Sequence, residues 1–334
     1  MQVLFKIFRQ SQNTPYRFQT YILDVQPGNT ILECLNRIKW EQDGTLAFRK
    51  NCRNTICGSC AMRIDGRSAL ACKENVGDEL ARLKKSATND IPSQSLPEIT
   101  IEPMGNMPVL KDLVVDMKSF WDNLEAVEPY VSTGARKIPE REFLQTPEER
   151  AKLDQTGNCI LCGACYSECN AREVNSDFVG PHALAKAYRM VADSRDGETE
   201  TRLEKYNRGT QGVWGCTRCF YCNAVCPMDV APMDQIGKIK GEILDRKNEQ
   251  ASRSIRHRKV LIDLVKEGGW IDERKFGLQV VGNYLKDIKG LVSLGPLGLR
   301  MLMRGKFPLD FHPSEGTEQV RALIESVRDV NYLR

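Results

Sequence analysis

The strongest constraint on this chain is a spacing that occurs twice. Cys159, Cys162, Cys165 and Cys169 form a C-x2-C-x2-C-x3-C run, and Cys216, Cys219, Cys222 and Cys226 form a second, followed by Pro227. Eight thiols in two matched runs are hard to explain as core packing. The spacing is that of two-cluster ferredoxins, in which the fourth cysteine of each run ligates the other cluster. Such a crossing joins Cys159, Cys162, Cys165 and Cys226 around one [4Fe–4S] cubane. It joins Cys169, Cys216, Cys219 and Cys222 around a second. Zinc also uses C-x2-C pairs, but in closed sets of two or four rather than three per loop crossed with a distant fourth.

A third pattern precedes these. Cys52, Cys57 and Cys60, with Cys72 after eleven intervening residues, match the plant-type C-x4-C-x2-C…C spacing of a [2Fe–2S] site. A tight loop wraps three thiolates around a small cluster, with Gly58 and Ser59 keeping the backbone close, and a hairpin returns Cys72 from the other side. Loop amides aimed at the sulfurs stabilise added negative charge. Arg53 could do the same or stand as a solvated surface arginine. Twelve of the thirteen cysteines are thereby used. The thirteenth, Cys34, falls among apolar residues of a helix and is expected to be a buried inert thiol. His182, His257 and His312 are scattered, with no metal-pair spacing.

Thirteen is odd, and a disulfide framework belongs to small secreted chains. The opening MQVLFKIFRQ reads as a strand, not a signal peptide, and nothing reaches the roughly 18 uninterrupted apolar residues of a membrane span. The expectation is a soluble or peripheral protein on a reducing side. The formal charge of +4 gives no nucleic-acid signal, since three bound clusters at roughly −2 each would bring it to about −2.

Around the cysteines the chain reads in three parts. Residues 1–105 carry alternation at Val3-Phe5-Ile7 and Phe18-Thr20-Ile22, separated by the SQNTPY turn. Thr30 with Glu33 forms a capping box ahead of Ile31, Leu35 and Ile38. Asp65-Gly66, between Met62-Arg63-Ile64 and Ser68-Ala69-Leu70, signals a type I′ hairpin. A Pro/Ser-rich stretch, IPSQSLPE, precedes a last strand at Ile99–Glu102. Residues 106–245 read as helical, with KDLVVDMKSFWDNL and PHALAKAYRMVAD as amphipathic helices and both cysteine runs in loops at helix starts. Residues 246–334 are helical and free of cysteine. Within them FGLQVVGNYLKDIKGLVSLGPLGLRMLMRGKF is apolar on one side and basic on the other. It reads either as a membrane-surface or partner-docking element, or as an amphipathic helix pair broken at Gly295-Pro296 and packed on its own domain. The second is the expectation.

The layout, a plant-type [2Fe–2S] domain followed by a bacterial-type two-cluster domain, resembles the iron–sulfur subunits of succinate dehydrogenases and fumarate reductases. CRNTICGSCAMRIDGRSALAC resembles that family's first cluster loop, PMGNMPVLKDLVVDM its interdomain region, and VGPHALAKAYRMVADSRD the helix between the two runs. The resemblance covers residues 1–240 and implies an α+β fold: a β-grasp ferredoxin domain, an all-α two-cluster domain and a helical C-terminal extension. It implies an electron wire: an FAD-containing flavoprotein subunit oxidises succinate, and single electrons pass along three clusters toward quinone. On this resemblance the chain itself would carry no acid–base catalyst. It would sit peripherally at the cytoplasmic face of a membrane, beside an anchor subunit. A carrier for another flavin-dependent oxidoreductase, of heterodisulfide-reductase or glycolate-oxidase type, is the alternative, although those usually lack the plant-type domain.

Two departures from the family pattern matter. In its better-known members no cysteine stands at the place of Cys219, and the cluster there is [3Fe–4S], on the equivalents of Cys169, Cys216 and Cys222. Here the fourth thiolate is present, and a [4Fe–4S] cluster is expected. The proline and tryptophans that help form the family's quinone pocket are replaced by Asn170-Ala171-Arg172-Glu173-Val174, and its histidine by Thr217. With the long C-terminus, this resembles a branch whose anchor is a cysteine-rich (CCG-motif) subunit.

Overall fold

The computed structural model describes residues 1–11, 14–86, 96–134, 136–246, 253–307 and 310–329. Most of the SQNTPY turn is within this range, whereas residues 91–95 of the Pro/Ser-rich stretch lie outside it. The chain divides into two units, Met1–Ile239 and Lys240–Arg334.

The first unit opens with a five-stranded sheet in the order β2-β1-β5-β3-β4. Strand β1 (Gln2–Arg9) pairs antiparallel with β2 (Arg17–Asp24), placing Phe5 opposite Tyr21. It pairs parallel with β5 (Glu98–Glu102), placing Phe5 opposite Ile99. Strand β5 is antiparallel to β3 (Ala61–Ile64), which turns into β4 (Arg67–Leu70). A mixed sheet with its parallel pair at the centre and a helix against one face is the expected β-grasp arrangement. The alternating residues do the packing: Val3, Phe5 and Ile7 are fully buried with Ile31, Leu35 and Ile38. Helix α1 (Ile31–Arg37) begins where the capping box specifies. The Glu33 amide donates to Thr30 Oγ1 at 3.1 Å, and the Thr30 amide to Glu33 Oε2 at 2.8 Å. Asp65 and Gly66 both take positive φ, 47° and 78°, as a type I′ turn requires. Helix α2 (Val76–Ser86) follows the hairpin.

The segment KDLVVDMKSFWDNL departs from expectation. Only its second half is helix, α3 (Lys118–Glu125); before it β6 (Val109–Lys111) and β7 (Val114–Val115) form a small hairpin. The cause is Asp112, a turn residue at φ 50° and nearly fully buried. Its carboxylate accepts from Arg9 Nε (3.0 Å), the Ala47 amide (2.9 Å) and the Gln10 amide (3.1 Å). Such a tertiary network outweighs the weak intrinsic preference of a short amphipathic stretch.

The rest of the first unit is helical: α4 (Pro147–Gly157), α5 (Ala164–Ser167), α6 (Asn170–Val174), α7 (Pro181–Val191), α8 (Thr199–Tyr206) and α9 (Tyr221–Ala224), with α10 (Pro232–Asp245) running across its end. A second capping box, Thr146 with Glu149, starts α4. Helix α7 is buried along most of its length, its alanines 183, 185 and 187 permitting close approach. The sheet and the helices share one core, which runs from Phe5 through Met104 and Phe120 to Tyr166. Polar clamps fix the join. Asn106 Nδ2 donates to the carbonyls of Tyr166, Ser167 and Cys169, and Ser68 Oγ donates to Glu168 Oε1 at 2.7 Å.

In the second unit α11 (Arg253–Gly268), α12 (Glu273–Phe276) and the wide turn Gly277–Val281 surround a small core of Val260, Leu264, Val280 and Phe276. Helices α13 (Ile288–Ser293) and α14 (Gly295–Met303) precede α15 (Thr317–Asp329). Neither α13 nor α14 has a buried residue. The pair packs on its own unit only along one edge: Leu291 lies beside Gly282 and Leu294 beside Gly277, while Ile288, Val292, Leu299, Leu302 and Met303 are exposed. No helix among the described residues is long and apolar enough to cross a membrane.

Candidate iron–sulfur sites

The first cysteine loop is shaped by backbone in the left-handed region at Arg53, Thr55 and Gly58 (φ 57°, 57° and 70°). This coiling turns amides inward. The Asn54 and Cys57 amides approach Cys52 Sγ at 3.3 Å each, and the Cys52 amide approaches Cys57 Sγ at 3.4 Å. The Thr55 amide reaches Cys72 Sγ at 3.4 Å. Cys60 is buried beside Cys72; burial, with the neighbouring thiols adding to it, pushes the Cys60 thiol up to about 12. Cys57 shows the opposite balance. Burial opposes ionisation, but hydrogen bonds from Ser59 and Cys52 outweigh it and bring the thiol down to about 6. Cys52, Cys57 and Cys60 on the loop are thus joined by Cys72, which the β3–β4 hairpin returns to it. Arg53 is exposed and makes no ion pair among the described residues.

The two long runs meet in the crossed arrangement. Cys159, Cys162, Cys165 and Cys226 line one cavity, walled by Ile160, Leu161, Ala185, Val230 and Pro232. Cys165 is raised well above the usual thiol range by burial and then by Cys162, Cys159, Cys222 and Cys226. Cys169 is pushed up to about 11 by burial, with Cys216 and Cys219 adding to it. Cys222 is pushed up to about 12 by burial, with Cys216, Cys169 and Cys219 adding to it. Cys165 on α5 and Cys222 on α9 make the two sets neighbours, because these helices pack together.

The two loops have the same backbone form. Leu161 and Gly163 are left-handed in the first, and Arg218 and Phe220 at the matching offsets in the second. Phe220 does at φ 64° what Gly163 does without strain, and it is half exposed. Repetition of the spacing signals the pair of loops, but nothing in the residue type signals Phe220.

These donor sets fit iron–sulfur clusters. Each holds four sulfurs, and the cavity of the first contains no carboxylate. Among the described residues no three His, Cys, Asp or Glu side chains close on a single ion; Cys159, Cys162, Cys165 and Cys226 ring a cavity instead. Cys34 is fully buried, and burial pushes its thiol up to about 12, in keeping with an inert role.

His182, scattered in sequence, lines the first cavity. Its ring stacks on Phe120 at 3.9 Å and its Nε2 is 2.9 Å from the Phe120 carbonyl. Burial holds its pKa down at about 3, so the ring is neutral with Nε2 as donor. The sequence carries no signal for this placement, because Phe120 is distant along the chain.

Comparison with known proteins agrees with this geometry. Residues 4–122 match the model of a 2Fe-2S iron-sulfur cluster binding domain, and residues 155–230 that of a 4Fe-4S dicluster domain. The succinate dehydrogenase [ubiquinone] iron-sulfur subunit 3 of Arabidopsis thaliana is 37% identical over 247 residues, covering 72% of this chain and 74% of that protein. This chain belongs to that family. Subunit 2 of Oryza sativa subsp. japonica is also 37% identical, over 242 residues, covering 71% of this chain and 73% of its own. In fold, the chain is similar to one in the Mycobacterium smegmatis Sdh1 complex, with a TM-score of 0.61 at 22% identity, over 75% of this chain and 99% of that one. It is an iron–sulfur subunit of the complex II type, with [2Fe–2S] and [4Fe–4S] domains in the expected order.

Proposed function

We propose that twelve cysteines hold three clusters in series: Cys52, Cys57, Cys60 and Cys72 a [2Fe–2S] cluster, Cys159, Cys162, Cys165 and Cys226 a [4Fe–4S] cluster, and Cys169, Cys216, Cys219 and Cys222 a second [4Fe–4S] cluster. The crossed gathering of the two long runs is the observation that carries this reading. When bound, the clusters supply one-electron carriers between a flavin and a quinone. The chain's own contribution is positioning and dielectric. Inward amides of the first loop favour negative charge on its sulfurs, and the apolar walls Ile160, Leu161, Ala185 and Val230 lower the dielectric around Cys162 and Cys165.

The partners on this reading are a flavoprotein that oxidises succinate to fumarate and a membrane-anchor subunit; the chain sits peripherally at the cytoplasmic face. Ile56, 65% exposed on the first loop, suits docking of the flavoprotein. The exposed run Thr217–Tyr221 suits docking of the anchor near the last cluster. A cysteine-rich anchor is favoured by Cys219 and by the replacement of the quinone-pocket residues at Asn170–Val174 and Thr217.

Low-temperature EPR of the natively purified complex, alongside mass spectrometry and a succinate-dependent dye assay, tests the reading. The expected result is a co-purified flavoprotein, succinate activity, and no stoichiometric [3Fe–4S] signal in the oxidised state. A [3Fe–4S] signal that resists iron and reductant would overturn the second cubane. Absence of a flavoprotein and of activity would overturn the succinate reading.

A further inference from the structure

Helix α13 runs into α14 through Leu294, itself right-handed at φ −80° and ψ −14°, so the two keep nearly one helical phase. At 100° per residue, residues 288–304 sort into three sectors. Leu291 and Leu294 turn toward their own unit, beside Gly282 and Gly277. Ile288, Val292, Leu299, Leu302 and Met303 form an outward stripe about 100° wide; Ile288, Val292 and Met303 are 71%, 70% and 71% exposed. Lys289, Arg300 and Arg304 flank that stripe on one side, and Lys286 and Lys306 stand at its two ends, all exposed. None of the five makes an ion pair among the described residues. Asp287 is the one carboxylate between residues 276 and 307, and it is turned into the helix cap, accepting from the Gly290 amide at 2.8 Å.

We propose that residues 284–307 form an interfacial membrane element, lying in the headgroup region of an anionic bilayer with Ile288, Val292, Leu299, Leu302 and Met303 inserted. The charge argues for lipid: five unpaired cations beside an apolar stripe complement anionic headgroups. The helices have 6 and 9 residues, too few to cross the hydrocarbon layer, so the contact is in the plane of the surface. This adds a bilayer contact made by the chain itself to any made through an anchor subunit.

Flotation of the full-length, cluster-loaded chain tests this, on vesicles of phosphatidylcholine alone and of phosphatidylcholine with phosphatidylglycerol. Wild type is expected to float with the anionic vesicles, more weakly as salt rises, and to stay down with the neutral ones. Val292→Glu with Leu299→Glu should weaken binding tenfold or more, with visible absorption and circular dichroism unchanged, since both positions are solvent-facing. Lys289→Glu with Arg300→Glu should weaken it similarly at low salt. Failure of wild type to float with either vesicle overturns the proposal, as does undiminished flotation of the Val292/Leu299 variant. Capture by native membranes but not by protease-shaved ones would make the occupant a protein, and the lipid assignment would fall.

Discussion

Gly58 lies directly against Cys162: a Cβ built on Gly58 would stand 2.7 Å from the Cys162 Cα and 2.8 Å from its Cβ. The backbone of the first cysteine loop therefore touches the backbone of the second thiol set. In an electron wire the gap between successive carriers governs the hop, and here a missing side chain closes it. Gly58 is also left-handed at φ 70°, so glycine is required twice over.

Gly58→Ala is accordingly expected to destabilise the loaded chain by about 2–4 kcal/mol, from left-handed strain plus backbone overlap. Chemical denaturation measures the loss. Slower reoxidation of the [2Fe–2S] centre in stopped-flow absorption would show the loops forced apart. An alanine variant with wild-type stability and rate would mean that the loops shift freely.

Cys226→Ser tests the crossing. The residue lies in the second run, yet its loss should damage the cluster of Cys159, Cys162 and Cys165 and leave that of Cys216, Cys219 and Cys222 intact. EPR resolves the two, and the iron content should fall by about one to four atoms per chain. Damage confined to the Cys216 set would mean that each run serves its own cluster.

Asp112→Ala should cost about 3–5 kcal/mol, because it removes a buried carboxylate partner of Arg9 and strands the Gln10 and Ala47 amides in the interior. Asp43 remains as a partner for Arg9, so the lower end is expected. Urea unfolding of wild type and variant at neutral pH gives the difference, and a loss below 1 kcal/mol would show that water or Asp43 takes over.

His182 makes stability depend on pH. Its folded pKa, near 3, lies below its ordinary 6.5, because burial disfavours the charged ring. The unfolded chain then binds the extra proton, so stability falls as pH drops below about 6.5 and continues to fall toward 3. Between pH 7 and pH 5 the loss from this group is about 2 kcal/mol. His182→Phe should remove that share of the slope, read from urea unfolding across this range. An unchanged slope would place the protonation elsewhere.

Much of this protein was legible in its residues. Val3, Phe5 and Ile7 alternate because a strand covering a core has period two. Thr30 and Glu33 mark a helix start because orphan amides need those acceptors. Asp65-Gly66 marks a hairpin because few residues tolerate positive φ. Three cysteine spacings encode three sulfur sets because the loop around a cluster has fixed chain length. These are short-range rules, and local chemistry is enough to satisfy them. The tertiary structure decided what depends on distant partners. Asp112 turns KDLVV into a hairpin because Arg9, about a hundred residues earlier, needs a buried carboxylate. Gly58 serves Cys162 as well as its own loop, His182 finds Phe120, and α13 and α14 turn Leu291 and Leu294 toward Gly282 and Gly277. In each case the energy comes from burial and hydrogen bonding between segments far apart in the chain, and no local pattern records which segments will meet.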